Sequence, residues 1–104
     1  MEGHSLISPD VLARYAADAA REVDGVAGLA ESALHRGRGV TLSGDETSPT
    51  VEVHVELEWG RSATGVATEV QRRVGEYLER MANLTPASID VVVDGVGPPP
   101  AKRG

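Results

Sequence analysis

The chain has 104 residues, with 40% hydrophobic and 25% charged positions, a formal net charge of -6 and no cysteine. That length and balance allow one folded domain with a modest core. The acidity works against nucleic-acid phosphates and anionic membrane surfaces as direct ligands, and the missing cysteine excludes disulfides, thiolate nucleophiles and cysteine-held metals.

Aromatic residues are confined to Tyr15, Trp59 and Tyr77, with no Phe, so the core has to come from Val, Leu, Ile and Ala. The opening MEGHSLISPD has neither a basic start nor an apolar run, so no signal peptide is expected. No stretch approaches the roughly 20 apolar residues of a membrane span.

The first element is a helix. Ser8 is a natural N-cap, Pro9 suits the first helical position, and Asp10 lies at the positive end of the helix dipole. Val11, Leu12, Tyr15, Ala16, Ala19, Ala20 and Val23 then recur on one face, with Arg14, Asp18, Arg21 and Glu22 off it. Gly25, in VDG, is the expected stop. VAGLAESALHRGRG reads as a connection with one helical turn. GVTLSG is a short strand carrying Val40 and Leu42. SGDETSPT is loop chemistry that closes a hairpin onto the next strand.

That strand, VEVHVELEWG, alternates throughout: Val51, Val53, Val55, Leu57 and Trp59 against Glu52, His54, Glu56 and Glu58. Gly60 breaks it and Ser62 caps a second helix, whose stripe is Val66, Val70, Val74, Tyr77, Leu78 and Met81. Gly65 and Gly75 each cost that helix up to about 1 kcal/mol relative to Ala, so it depends on tertiary packing. NLTPAS is a turn. IDVVVDGV is the last strand, with Ile89, Val91 and Val93 on one face and Asp90, Val92 and Asp94 on the other. GPPPAKRG can continue neither a helix nor a sheet. The order α-β-β-α-β gives an α+β two-layer sandwich, two helices on one face of a three-stranded mixed sheet, with one domain over residues 1–97 and a tail over 98–104. A crossover through the second helix sets the last strand parallel to the long one.

The candidate chemistry lies on the polar row Glu52, His54, Glu56 and Glu58, joined by Asp90 and Asp94. Helices on one sheet face force the apolar positions toward them and the polar ones toward water, which accounts for the row without a reaction. One histidine with scattered carboxylates is a poor metal set, since only Asp90 or Asp94 offers a further ligand from another strand. Paired carboxylates for hydrolysis require a cleft that an open sheet lacks. An open face and its edge strands are nevertheless docking surfaces, and this row is the candidate interaction face. His35, Arg36 and Arg38 form the one basic knot, at a spacing that matches neither a phosphate loop nor a dinucleotide turn. No serine lies in a nucleophile-elbow context, and no nucleophile, base and orienter converge. Neither an activity, a cofactor nor a resident metal is expected.

Read together and in order, ISPDVLARYAADAAREVDGVAGL, GVTLSG, VEVHVELEWG and IDVVVDGV resemble the alkaline shock protein family of bacteria, also called the Gls-type envelope stress response family. The resemblance covers most of residues 7 to 97 and departs from the family pattern between Leu29 and Val40 and at the C-terminus. It implies a small cytoplasmic α/β domain without catalytic activity. It also implies self-association, or a small membrane-anchored protein as partner, through which any membrane association would run. Two other functions stay open on the residues: a KH-like nucleic-acid module, which lacks its GXXG loop here, and a metal-binding or enzymatic domain using the acidic strand.

Overall fold

Both helices begin where their caps predict. The computed structural model describes residues 7–29 and 39–99, in the order α1 (Pro9–Arg21), β1 (Val26–Leu29), β2 (Val40–Asp45), β3 (Ser48–Leu57), α2 (Ala63–Ala82) and β4 (Ser88–Val96). The Ser8 hydroxyl accepts the Val11 N–H at 3.3 Å, and the Ser62 hydroxyl accepts the Gly65 N–H at 3.1 Å. Each satisfies one of the unpaired donors of a first turn. At the far end of α2, Asn83 adopts a left-handed φ of 53°, and its N–H bonds to the Glu79 carbonyl at 3.0 Å. Ser62→Ala is expected to destabilise the domain by about 0.5–2 kcal/mol in urea unfolding, and Ser62→Gly by only a few tenths.

The sheet is mixed, as expected, but has four strands instead of three. β3 lies in the middle. β4 runs parallel along one edge, from Thr50 opposite Ser88 to Leu57 opposite Val96. The other edge is shared end to end by two antiparallel strands. β2 pairs from Val40 opposite Val53 to Asp45 opposite Ser48, and β1 pairs from Val26 opposite Leu57 to Leu29 opposite Val55. β3 is 10 residues long and its hairpin partner stops at Val53, so the backbone groups beyond need a second partner. Val26–Leu29, read from sequence as a connection with a helical turn, supplies it. Four residues containing a glycine are too short for alternation to show. The helical turn expected beyond Leu29 falls on residues 30–38, outside the described residues, as do His4, His35, Arg36, Arg38 and residues 100–104 of the expected tail.

The hairpin is also tighter than SGDETSPT suggests. Only Glu46 and Thr47 lie between the strands, and Ser48 and Pro49 already belong to β3. Asp45 closes the turn with its own side chain, accepting the Thr47 N–H and hydroxyl, both at 2.9 Å. Those bonds hold the Asp45 carboxyl below its ordinary pKa. Pro49 is tolerated near the strand start, where its carbonyl takes the Ala87 N–H at 2.8 Å.

All the fully apolar positions of β3 face the helices. Val51, Val53, Val55 and Leu57 join Leu12, Ala16, Ala17, Ala19 and Ala20 of α1 and Val66, Val70, Val74 and Leu78 of α2 in one buried cluster. The alanines of α1 bring it close to its neighbours, and Tyr15 meets Tyr77 edge-on across the helices at 5.8 Å between ring centres. Two positions of the expected stripes lie elsewhere. Met81 is exposed near the end of α2. Trp59 has left the sheet and is 57% exposed, because the chain turns at Gly60 (φ 85°) just after the Glu58 N–H bonds the Gly25 carbonyl at 2.9 Å. Among the described residues no helix is long and apolar enough to cross a membrane.

Candidate functional site

Since helices blanket the odd-numbered side of β3, the even side is the open face of the sheet. Three of the expected row stand on it: Glu52, His54 and Glu56. Register places Asp90 of β4 directly opposite Glu52, and Val92 opposite His54. The pairing then slips. Val55 opposes Val93, but Glu56 opposes Gly95, so Asp94 is the extra residue of a bulge. Asp94 keeps to the open face that alternation gives it, and its carboxylate meets His54 Nδ1 at 2.9 Å. On the other side of the ring, His54 Nε2 meets Glu52 Oε2 at 2.8 Å.

Both ring nitrogens therefore face carboxylates, an arrangement that only the doubly protonated imidazolium satisfies with two donated hydrogen bonds. The side chain is only 17% exposed. Burial pulls the His54 pKa down, but the hydrogen bonds to Asp94 and Glu52, together with their charges, outweigh it and leave the pKa raised. The cation also offsets the repulsion between Glu52 and Asp90, which face each other across the β3–β4 pair. A pKa raised in the folded state contributes stability that is complete below the unfolded value and lost as pH climbs through the folded one. The urea-unfolding gap between wild type and His54→Gln should thus be widest near pH about 6 and shrink steadily above the ordinary histidine pKa of about 6.5. A gap that grows with pH contradicts the clamp, and an NMR titration of the His54 ring should give a midpoint above the ordinary value.

Three expected members stand apart. Asp90 is on the face but exposed, and Glu56 is exposed between Gly28 of β1 and Gly95 of β4. Glu58 is not on the face at all. It lies in the turn after β3, where Arg61 Nη1 reaches it at 3.4 Å while Arg61 Nη2 bonds Asp24 at 3.0 Å. The Arg61 guanidinium lowers the Asp24 pKa through hydrogen bonding and charge. Asp24 and Arg61 were not singled out from the sequence, and a pair so far apart in the chain leaves no local signal.

The described arginines all lie away from this face: Arg14 and Arg21 on α1, Arg72, Arg73 and Arg80 on α2, and Arg61 in the turn before α2. Among the described residues no three His, Asp or Glu side chains are arranged to hold a metal ion. The two nitrogens of His54 point in opposite directions, each at its own carboxylate. A separate cleft of about 280 Å³ lies between the start of α1 and the β2–β3 hairpin, lined by Ile7, Pro9, Leu12, Leu42 and Pro49 with Asp45 at its rim.

The fold and the face define a two-layer α+β domain with one helix-covered and one open, acidic sheet face. The chain belongs to the alkaline shock protein 23 family, described by its cell envelope-related function, whose model matches residues 1–98. It is similar to the uncharacterized protein YqhY of Bacillus subtilis (strain 168), with 30% identity over 100 residues, 86% of this chain and 74% of that one. Among solved structures, a zinc form of a MamM CTD variant shares the fold at a TM-score of 0.63 and 15% identity, covering 83% of this chain and 84% of that one. A copper form of the MamM CTD does so at 0.64 and 12%, covering 90% and 92%.

Proposed function

We propose that this protein is a non-enzymatic docking module of the bacterial cell-envelope stress response, acting through self-association or through a protein partner. The observation that carries this reading is the asymmetry of the sheet. One face is consumed by the core, and the other presents Glu52, His54, Glu56, Asp90 and Asp94 with no layer of described residues over it. Family membership supplies the envelope connection. In this reading the domain works on the cytoplasmic side, and any hold on the membrane comes through an anchored partner, because acidic surfaces are repelled by anionic headgroups. The same carboxylates disfavour the KH-like alternative, since a nucleic-acid backbone would meet like charge.

Light scattering behind size exclusion at several concentrations tests self-association. A pull-down from the native organism with and without detergent tests for an anchored partner. The reading expects a mass that rises with concentration, or one specific protein retained only when detergent frees it from membrane. A strict monomer that retains nothing removes it.

A further inference from the structure

We propose that the outer edge of β4 takes up an extended segment of another protein whose residues alternate between basic and aliphatic, adding a strand to the sheet. The proposal rests on the docking reading above and gives the partner a chemistry.

The edge itself comes first. Among the described strands β4 pairs only with β3, so its second row of backbone donors and acceptors faces outward. The Gln71 amide donates to the Ile89 carbonyl at 2.8 Å near the start of that row. Exposed edges are commonly blunted by lysine, proline, other charges or a bulge; Ser88–Val96 contains neither lysine nor proline, and its bulge and second aspartate come only at Asp94, near the far end. The bulge at Asp94 limits regular pairing to the stretch from Ser88 to Val93.

The helix-side face of the same edge is apolar and incompletely covered. α2 passes over its beginning, where a Cβ on Gly75 would touch Ile89 Cδ1 at 3.4 Å. Farther along, Val93 is 36% exposed and Val96 54%. A strand laid beside β4 would place alternate side chains against Val91 and Val93, and aliphatic residues fit there.

The open face supplies the other half of the pattern. Cross-strand neighbours lie about 4.5–5.5 Å apart between Cβ atoms, so the remaining side chains of the added strand would stand beside Asp90 and Val92, with Asp94 just beyond them at the bulge. Glu52 and Glu56 lie behind them on β3, and none of the described arginines is on the sheet. Lysine or arginine fits beside Asp90, and one beside Val92 is long enough to reach Asp94 diagonally. A second copy of β4 brings its own Asp90 and Asp94 into the same sheet, which sets this occupant apart from self-pairing. In strand addition the main-chain bonds supply affinity and the alternating side chains supply selectivity.

The test is fluorescence anisotropy of the full chain with a labelled, end-blocked peptide of alternating Lys and Val. Binding is expected, weakening as salt rises. It should fall about tenfold or more for Asp90→Asn and for Val93→Lys, and equally when alternate peptide nitrogens are methylated to block pairing. Asp90→Asn leaves the His54 clamp intact, and circular dichroism confirms that each variant is folded. The proposal is overturned by no binding, by equal binding of the alternating Glu and Val peptide, or by an N-methylated peptide that binds as well as its parent. A dimer dissolved by Val93→Lys overturns it too, since the edge would then belong to a second copy. Self-association that survives Val93→Lys, with no peptide binding, removes this proposal and leaves the docking reading standing.

Discussion

Val53→Asp will not fold, whereas Glu56→Ala, three residues along the same strand, will unfold within about 0.5 kcal/mol of wild type. Val53 has no exposed surface and sits among the valines of β3 beneath both helices. A carboxylate there has no described cation within the core to pair with, because every described arginine lies on the outside of the helix layer or in the turn before α2. An uncompensated buried charge costs about 3–5 kcal/mol, and the lost burial of the valine adds about 1.5–3 kcal/mol. Together these are comparable to the whole stability of a small domain, about 5–15 kcal/mol. Glu56 points to solvent from the opposite face, so truncating it removes no packing. Circular dichroism and urea unfolding of the two variants decide the matter. A folded Val53→Asp protein with a small loss would mean that the valines do not face the helices, and the account of the open acidic face would fail with it.

The elements legible in the sequence were those whose signals are local. Ser8 and Ser62 marked helix starts because a cap acts within one turn, and Val51 to Leu57 marked the central strand because alternation over several residues has one reading. Long-range pairing was not legible. β1 is a strand because the C-terminal half of β3 has unpaired backbone groups beyond the reach of β2, a fact about β3 and not about VAGL. The candidate site divides the same way. Glu52, His54 and Glu56 were correctly placed on one face by period two. Glu58 and Trp59 follow the same alternation but lie past the end of β3, in the turn at Gly60 that follows the capture of the Glu58 N–H by the Gly25 carbonyl. Alternation assigns Asp90 and Asp94 the right face, yet nothing local announces the bulge at Asp94 or its contact with His54. The contacts of Asp94 and Glu52 turn a row of solvated polar groups into a clamped imidazole with a raised pKa.

The capture by Gly25 also sets up the strongest backbone prediction. Gly25→Ala should destabilise the domain by about 2–5 kcal/mol, from a left-handed backbone cost of about 1–2 kcal/mol and an overpacking cost of about 1–3 kcal/mol. The residue has φ 102°, and a Cβ there would lie 2.6 Å from Val66 Cγ2 and 3.3 Å from the Arg61 guanidinium carbon. Neither neighbour yields easily. Val66 is buried at the start of α2, and Arg61 is held by Asp24 and Glu58. Gly60 is the control. Its φ is 85° with nothing within 4 Å of an added Cβ, so Gly60→Ala should cost only the conformational part, about 1–2 kcal/mol. The steric share can be isolated with Val66→Ala, which removes the clashing methyl. In that background Gly25→Ala should cost about 1–2 kcal/mol less than in wild type, a coupling expected only between residues in contact. Equal losses at Gly25 and Gly60, or strict additivity with Val66→Ala, would mean that α2 does not close on the α1–β1 turn. That closure carries the chain out of the sheet at Glu58 and leaves Glu52, His54 and Asp94 as the cluster at the centre of the open face.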